Sequence, residues 1–132
     1  MANEASQKTR FSAAVGFKWF NDDIGADKGT ILKLSGARIV AAATADNDIA
    51  IGILARDKIA GDGRDNVAVY IDGIYDCLVQ GASAAIGDDL VISGANTLKK
   101  YTTLDNEKGY VLGKALEAVT GSDTIEVLLN KK

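Results

Sequence analysis

Apolar residues come in short bursts along most of this chain. From Thr30 onward they fall in TILKL (30–34), ARIVAAA (37–43), IAIGILA (49–55), LVIS (90–93), TLKKYTT (97–103), YVLGKALEAV (110–119) and TIEVLL (124–129), with Gly, Asp and Asn between them. Runs of this length, punctuated by turn residues, predict strands and an all-β sandwich or barrel. The stretches 37–45 and 114–119 fit a helix as well as a strand. The expected fold is therefore a small Gly-rich β-barrel or sandwich of short antiparallel strands, with room for one short helix.

The run NVAVYIDGIYDCLV (66–79) carries the sharpest local signal. Asp72-Gly73 between two apolar segments predicts a two-residue hairpin, with Tyr70 facing Tyr75 and Val67 facing Leu78. In that register Val67, Val69, Ile71, Ile74 and Leu78 share the core face, with Asp76 as the misfit. Tyr70 and Tyr75 lie on the other face and are the candidate contact with a sister subunit. Neither face is polar, which places the hairpin in the middle of either a closed barrel or a barrel packed on neighbours.

The beginning of the chain reads differently. Residues 1–10 are polar and unpatterned, whereas 11–20 hold all three Phe and the only Trp. Each large aromatic carries ~150–250 Å², so Phe11, Phe17, Trp19 and Phe20 together exceed the patch a monomer exposes. Their own barrel, a sister subunit or another partner must cover them. The expected division is an extended, partly mobile N-terminal arm over 1–25 and a single β domain over 26–132.

Segments recur along the chain. Ser35-Gly36-Ala37 returns as Ser93-Gly94-Ala95 and Val67-Ala68-Val69 as Ile125-Glu126-Val127, both 58 positions on. Thr44-Ala45-Asp46-Asn47 has a counterpart in Thr103-Leu104-Asp105-Asn106, and Ile51-Gly52-Ile53-Leu54-Ala55 in Leu112-Gly113-Lys114-Ala115-Leu116. The matches read either as a duplication or as chance recurrence in a Gly-rich β protein. As a duplication they make 72–89 the connector of two similar units.

Composition narrows the chemistry. The 132 residues include no His, which removes the commonest general base, the usual triads and most zinc sites. Cys77, the single cysteine, sits in an apolar run and reads as a small buried hydrophobe. A net charge of −3 without clustered Lys and Arg argues against nucleic acid. No apolar run is long enough to cross a membrane as a helix, and 1–20 show no signal-peptide pattern. The acidic cluster Asp22, Asp23 and Asp27 lacks the spacing of an EF-hand loop. Gly61-Asp62-Gly63 is too short for a phosphate loop. No catalytic, cofactor-binding or metal site is expected, and the chain is not expected to be an enzyme.

Over about residues 28–130 the chain resembles the capsid decoration (cement) proteins of tailed bacteriophages. The resemblance rests on the Ile51-Gly52 strand, the strand pair around Asp72-Gly73, the small residues leading to Gly87-Asp88, the Gly113 strand and the β terminus. It implies a small β-barrel that assembles as a homotrimer on the outer capsid surface and holds neighbouring major capsid subunits together. It also implies manufacture in the host cytoplasm. In such a protein Phe11, Phe17, Trp19 and Phe20 would form a capsid-contact arm, each ring contributing ~1.5–3 kcal/mol on burial. The alternative from another class is a small β-barrel ligand-binding or carrier module, with Lys58 as the modified residue.

Overall fold

A computed structural model describes residues 5–9, 19–20, 25–37, 39–45, 48–61, 63, 66–80, 83–101 and 111–130. Among these the protein is all-β, with no helix. Both stretches that could have been helical contain strand instead. The strands are β1 (Ser6–Thr9), β2 (Trp19–Phe20), β3 (Ile31–Gly36), β4 (Ile39–Ala42), β5 (Ala50–Leu54), β6 (Asn66–Val67), β7 (Val69–Tyr70), β8 (Asp72–Val79), β9 (Asp89–Gly94), β10 (Thr97–Lys100), β11 (Gly113–Ala115) and β12 (Asp123–Asn130).

They form two sheets that repeat one another. In one, β8-β10-β9-β11-β12 closes into a barrel because β12 returns to pair with β8 over Asp72–Val79. In the other, the order is β6-β2-β4-β3-β5-β7. Its edge strands β6 and β7 are separated by Ala68 alone, so the two edges meet in one run of chain. We call the units barrel 1 (β2–β7) and barrel 2 (β8–β12).

The repeat extends to individual pairings. Leu32↔Ala42, Leu34↔Val40 and Gly36↔Ile39 in barrel 1 become Leu90↔Lys100, Ile92↔Leu98 and Gly94↔Thr97 in barrel 2, with the bulge kept in place. The parallel contact Phe20↔Ile39 becomes Leu78↔Thr97, and Trp19↔Val67 becomes Cys77↔Ile125. The isolated bridge Ala26↔Lys58 becomes Ala84↔Val119. The offset is 58 throughout except between β5 and β11, where Gly52 matches Gly113 and Lys58 matches Val119 at an offset of 61. The recurrences of 35–37, 51–55 and 67–69 are therefore a structural duplication, whereas the match of 44–47 to 103–106 falls largely outside the described residues.

Two glycines show why the repeat keeps its small residues. A Cβ on Gly52 would lie 2.2 Å from the Tyr70 carbonyl oxygen, and one on Gly113 would lie 2.2 Å from that of Leu128. At both places the neighbouring strand passes too close for any side chain, and the two neighbours are themselves counterparts. Equivalent side chains fill the interiors. Leu32, Val40, Leu54, Val67 and Val69 pack inside barrel 1, and Leu90, Leu98, Ala115, Ile125 and Val127 occupy the same places in barrel 2.

The Asp72-Gly73 hairpin does not form. β7 pairs with β5 in barrel 1, while β8 pairs with β12 and β10 in barrel 2, so Ile71-Asp72 is the crossing between them. A local turn signal lost to two sets of long-range pairings. Gly73 does adopt φ 107, but Asp72 does not join it in the left-handed region. The crossing also inverts the expected face on β8. Tyr75, Cys77 and Val79 point into the core, whereas Ile74, Asp76 and Leu78 are half-buried on the outside. Asp76, the misfit of the hairpin reading, is no misfit on that side.

Segment 72–79 thus belongs to barrel 2 as its first strand, the counterpart of β2. The expected connector is shorter than 72–89, and each repeat is one strand longer at its front. The expected arm over 1–25 is tied down in two places: β1 pairs antiparallel with β8, and β2 lies between β4 and β6.

Candidate functional site

The two barrels meet at a buried junction. Ile31, Ile53 and Tyr70 are direct cross-strand partners on β3, β5 and β7, so their side chains share one face. That face is the outside of barrel 1, because the neighbouring Leu32, Leu54 and Val69 point inward. Yet Ile31, Ile53 and Tyr70 are only 0, 1 and 8% exposed. They belong to one continuous buried cluster with Tyr75, Ile92, Leu112 and Leu129 at the end of barrel 2 where β8 begins and β12 stops. The outer face of one barrel therefore covers the end of the next.

Polar contacts fix this docking. Asn96, in the β9–β10 turn, has φ 55 and accepts a hydrogen bond from the Ile31 backbone N–H at 2.9 Å in a buried setting. The left-handed conformation suits Asn better than most residues, since its short side chain can bond locally. The Ala5 N–H donates to the Gly29 carbonyl oxygen at 2.6 Å, so the chain leading into β1 grips barrel 1 while β1 itself lies on barrel 2. The Tyr70 and Tyr75 rings sit 5.9 Å apart at 38°, and the Tyr75 hydroxyl donates to the Asp72 carbonyl oxygen at 2.9 Å.

This corrects the expectation for Tyr70 and Tyr75. They do come together, but they are buried inside one chain and hold its two barrels against each other. Little of either ring is left to offer a sister subunit. Of the expected arm residues, Phe11 and Phe17 lie outside the described residues. Trp19 and Phe20 form β2, and of them only the backbone pairing is described. That pairing places the end of the aromatic segment in barrel 1.

No protein-family model and no curated sequence matches the chain. Its own residues must carry the functional argument. Cys77 is buried, as its apolar surroundings predicted; burial pushes its thiol up to about 12, with the charge of Asp76 adding to the effect. A thiol held protonated in a core is a poor nucleophile. Lys58 is 7% exposed, its ammonium donates to the Ile59 carbonyl oxygen at 2.9 Å, and its backbone pairs with Ala26. A lysine held in this way is not presented for modification.

Barrel 2 carries the counterpart of the junction face, and its chemistry differs. By register, Ile31, Ile53 and Tyr70 correspond to Asp89, Lys114 and Leu128. Lys114 Nζ lies 2.6 Å from Asp89 Oδ1, with the two side chains 42 and 35% exposed. Tyr101 stands where barrel 1 has the buried Ala43, and Leu116, 37% exposed, where it has the buried Ala55. Ile86, in the turn before β9, is 73% exposed. Sequence reading passed over this face, because its importance follows from the barrel contact and not from any motif.

Proposed function

We propose that the chain is a structural virion protein, a decoration (cement) protein of a tailed phage. In this reading it binds the outer capsid surface as a homotrimer and strengthens contacts between major capsid subunits, after synthesis in the host cytoplasm. It acts by binding and takes no part in catalysis. The observation that carries the reading is where the residues of the resemblance sit. At Gly52 and Gly113 a neighbouring strand passes too close for a side chain, once in each barrel. Gly87, at φ 88, turns the chain into β9, and the Asp88 carboxylate accepts the Ala85 N–H at 2.7 Å. The motif that resembles cement proteins is thus the set of residues that builds the double barrel.

The ligand-binding or carrier alternative has less support. Aliphatic side chains fill the centre of barrel 1, and Lys58 is buried and bonded. Cosedimentation with purified, expanded tailed-phage capsids tests the proposal. The expected result is saturable binding with three chains per site. Protein remaining in the supernatant at every concentration, with capsids from the phage that encodes it, would overturn the capsid role.

A further inference from the structure

The duplication leaves each chain with two unmatched surfaces of known complementarity. Inside the chain, the outer row Ile31–Ile53–Tyr70 of barrel 1 docks on the end of barrel 2. The contact is head-to-tail. Were it two-fold symmetric, barrel 2 would bury its own equivalent row, but Asp89 and Lys114 keep about a third or more of their side chains exposed. Among the described residues, barrel 2 therefore retains a free outer face and barrel 1 a free end.

The free end shows what it lacks. Ile92, Leu112 and Leu129 are 0, 0 and 2% exposed at the covered end of barrel 2. Their counterparts at the same end of barrel 1, Leu34, Ile51 and Ile71, are only half-buried. Ile39, at the start of β4 on the same rim, is 41% exposed. The free face of barrel 2 likewise keeps apolar surface in Leu116, Leu128 and Tyr101 around its ion pair.

We infer that these two surfaces bind each other between chains. Barrel 2 of one copy docks through Asp89, Lys114, Leu116 and Leu128 on the Leu34–Ile39–Ile51–Ile71 end of barrel 1 in the next. The occupant is a second copy because the body that fits such a face within the chain is the end of such a barrel. A head-to-tail contact closes into a ring or grows into a filament. The inference rests on the homotrimer of the proposed function, in which three chains would set six barrels in one ring.

The substitution of Ile31 and Ile53 by an ion pair fits this division of labour. The face inside the chain is covered once, on folding. The face between chains must tolerate water until assembly, and a self-neutralised pair on an otherwise apolar face does so with little contribution of its own.

The test uses two full-length variants, Leu128→Glu on the free face and Ile39→Glu on the free rim. Each position is at least partly exposed, and circular dichroism with a urea midpoint checks folding. Should Leu128→Glu not fold, Leu116→Glu replaces it. Light scattering after size exclusion at tens of micromolar should show wild type as an oligomer and each variant alone as a monomer, self-association weakened roughly tenfold or more. An equimolar mixture of the two should form a 1:1 dimer and nothing larger, since one intact face and one intact rim remain. Variants that still assemble like wild type, or a mixture that stays monomeric, would overturn the head-to-tail contact and leave the trimer standing. A monomeric wild type would overturn both.

Discussion

Replacing Gly52 with Ala should destabilise the protein by about 2–4 kcal/mol. Two effects compete. Alanine restricts the unfolded chain more than glycine does and improves strand propensity, favouring the substitution by about 0.5–1 kcal/mol. Against this, the new Cβ would lie 2.2 Å from the Tyr70 carbonyl oxygen and 2.8 Å from Val69 Cγ1. A backbone oxygen cannot rotate away, so β5 and β7 must separate locally. Overpacking of this kind costs about 1–3 kcal/mol, and each weakened ladder bond adds roughly 1 kcal/mol. Gly52 does not have a positive φ, so the cost is steric and not conformational.

Urea denaturation followed by tryptophan fluorescence measures the loss as a lower midpoint at unchanged slope. For a domain of this size it corresponds to roughly 10 °C in Tm. Gly113→Ala should behave alike, because its Cβ would meet the Leu128 carbonyl oxygen at the same 2.2 Å. Gly94→Ala is the control: its nearest neighbour is the Thr97 hydroxyl at 3.1 Å, a side-chain atom that can move. It should change stability by less than about 1 kcal/mol. Wild-type stability in both Gly52→Ala and Gly113→Ala would refute the close strand approach and with it the barrel register.

Three further outcomes follow from the geometry. Asn96→Ala should cost about 2–4 kcal/mol, from an orphaned buried Ile31 N–H and the loss of asparagine's tolerance of the left-handed region, whereas Asn96→Gly should recover about 1 kcal/mol of that by chemical denaturation. Cys77 is held protonated in the fold and not in the unfolded chain, so wild-type stability should fall by about 1.4 kcal/mol per pH unit above pH ~9 relative to Cys77→Ala; parallel pH profiles would refute its burial. Asp48 has the opposite sign. Burial alone would raise its pKa, but the N–H groups of Thr44 and Ala45, both at 2.9 Å, and the charge of Lys33 together hold its carboxyl below 3.8. Asp48→Asn should therefore lose about 1–2 kcal/mol at neutral pH, and the gap should close as the pH falls below 3.8 and the wild-type carboxylate takes up its proton.

Much of the fold was legible because local pattern and final structure agree. The run at 30–34 overlaps β3, those at 49–55, 90–93 and 124–129 contain or lie within a strand, and the recurrence of Ser-Gly-Ala and of Ile-Gly against Leu-Gly marked a true duplication. What stayed hidden depends on distance. Asp72-Gly73 has the chemistry of a tight hairpin, yet its two flanks find better partners in different barrels. The first strand of the repeat escaped notice because Trp19-Phe20 and Cys77-Leu78 share a pairing geometry and no residue type.

The junction was harder still to read. Tyr70 and Tyr75 were visible as an unmatched apolar pair, and they do form a contact, but inside one chain. The counterpart positions Ile31 and Asp89, or Ile53 and Lys114, have opposite polarity. Their equivalence appears only once the strand registers are known. A face that is apolar in one barrel and charged in the other carries no motif, although its position fixes what it can touch.

In the proposed function this double barrel decorates a capsid. Electron cryomicroscopy of tailed-phage capsids incubated with the purified chain tests it most directly. The expected result is added density on the outer surface at three-fold positions, resolving three chains and six barrels around each axis. Capsids indistinguishable from undecorated ones at saturating protein would contradict it.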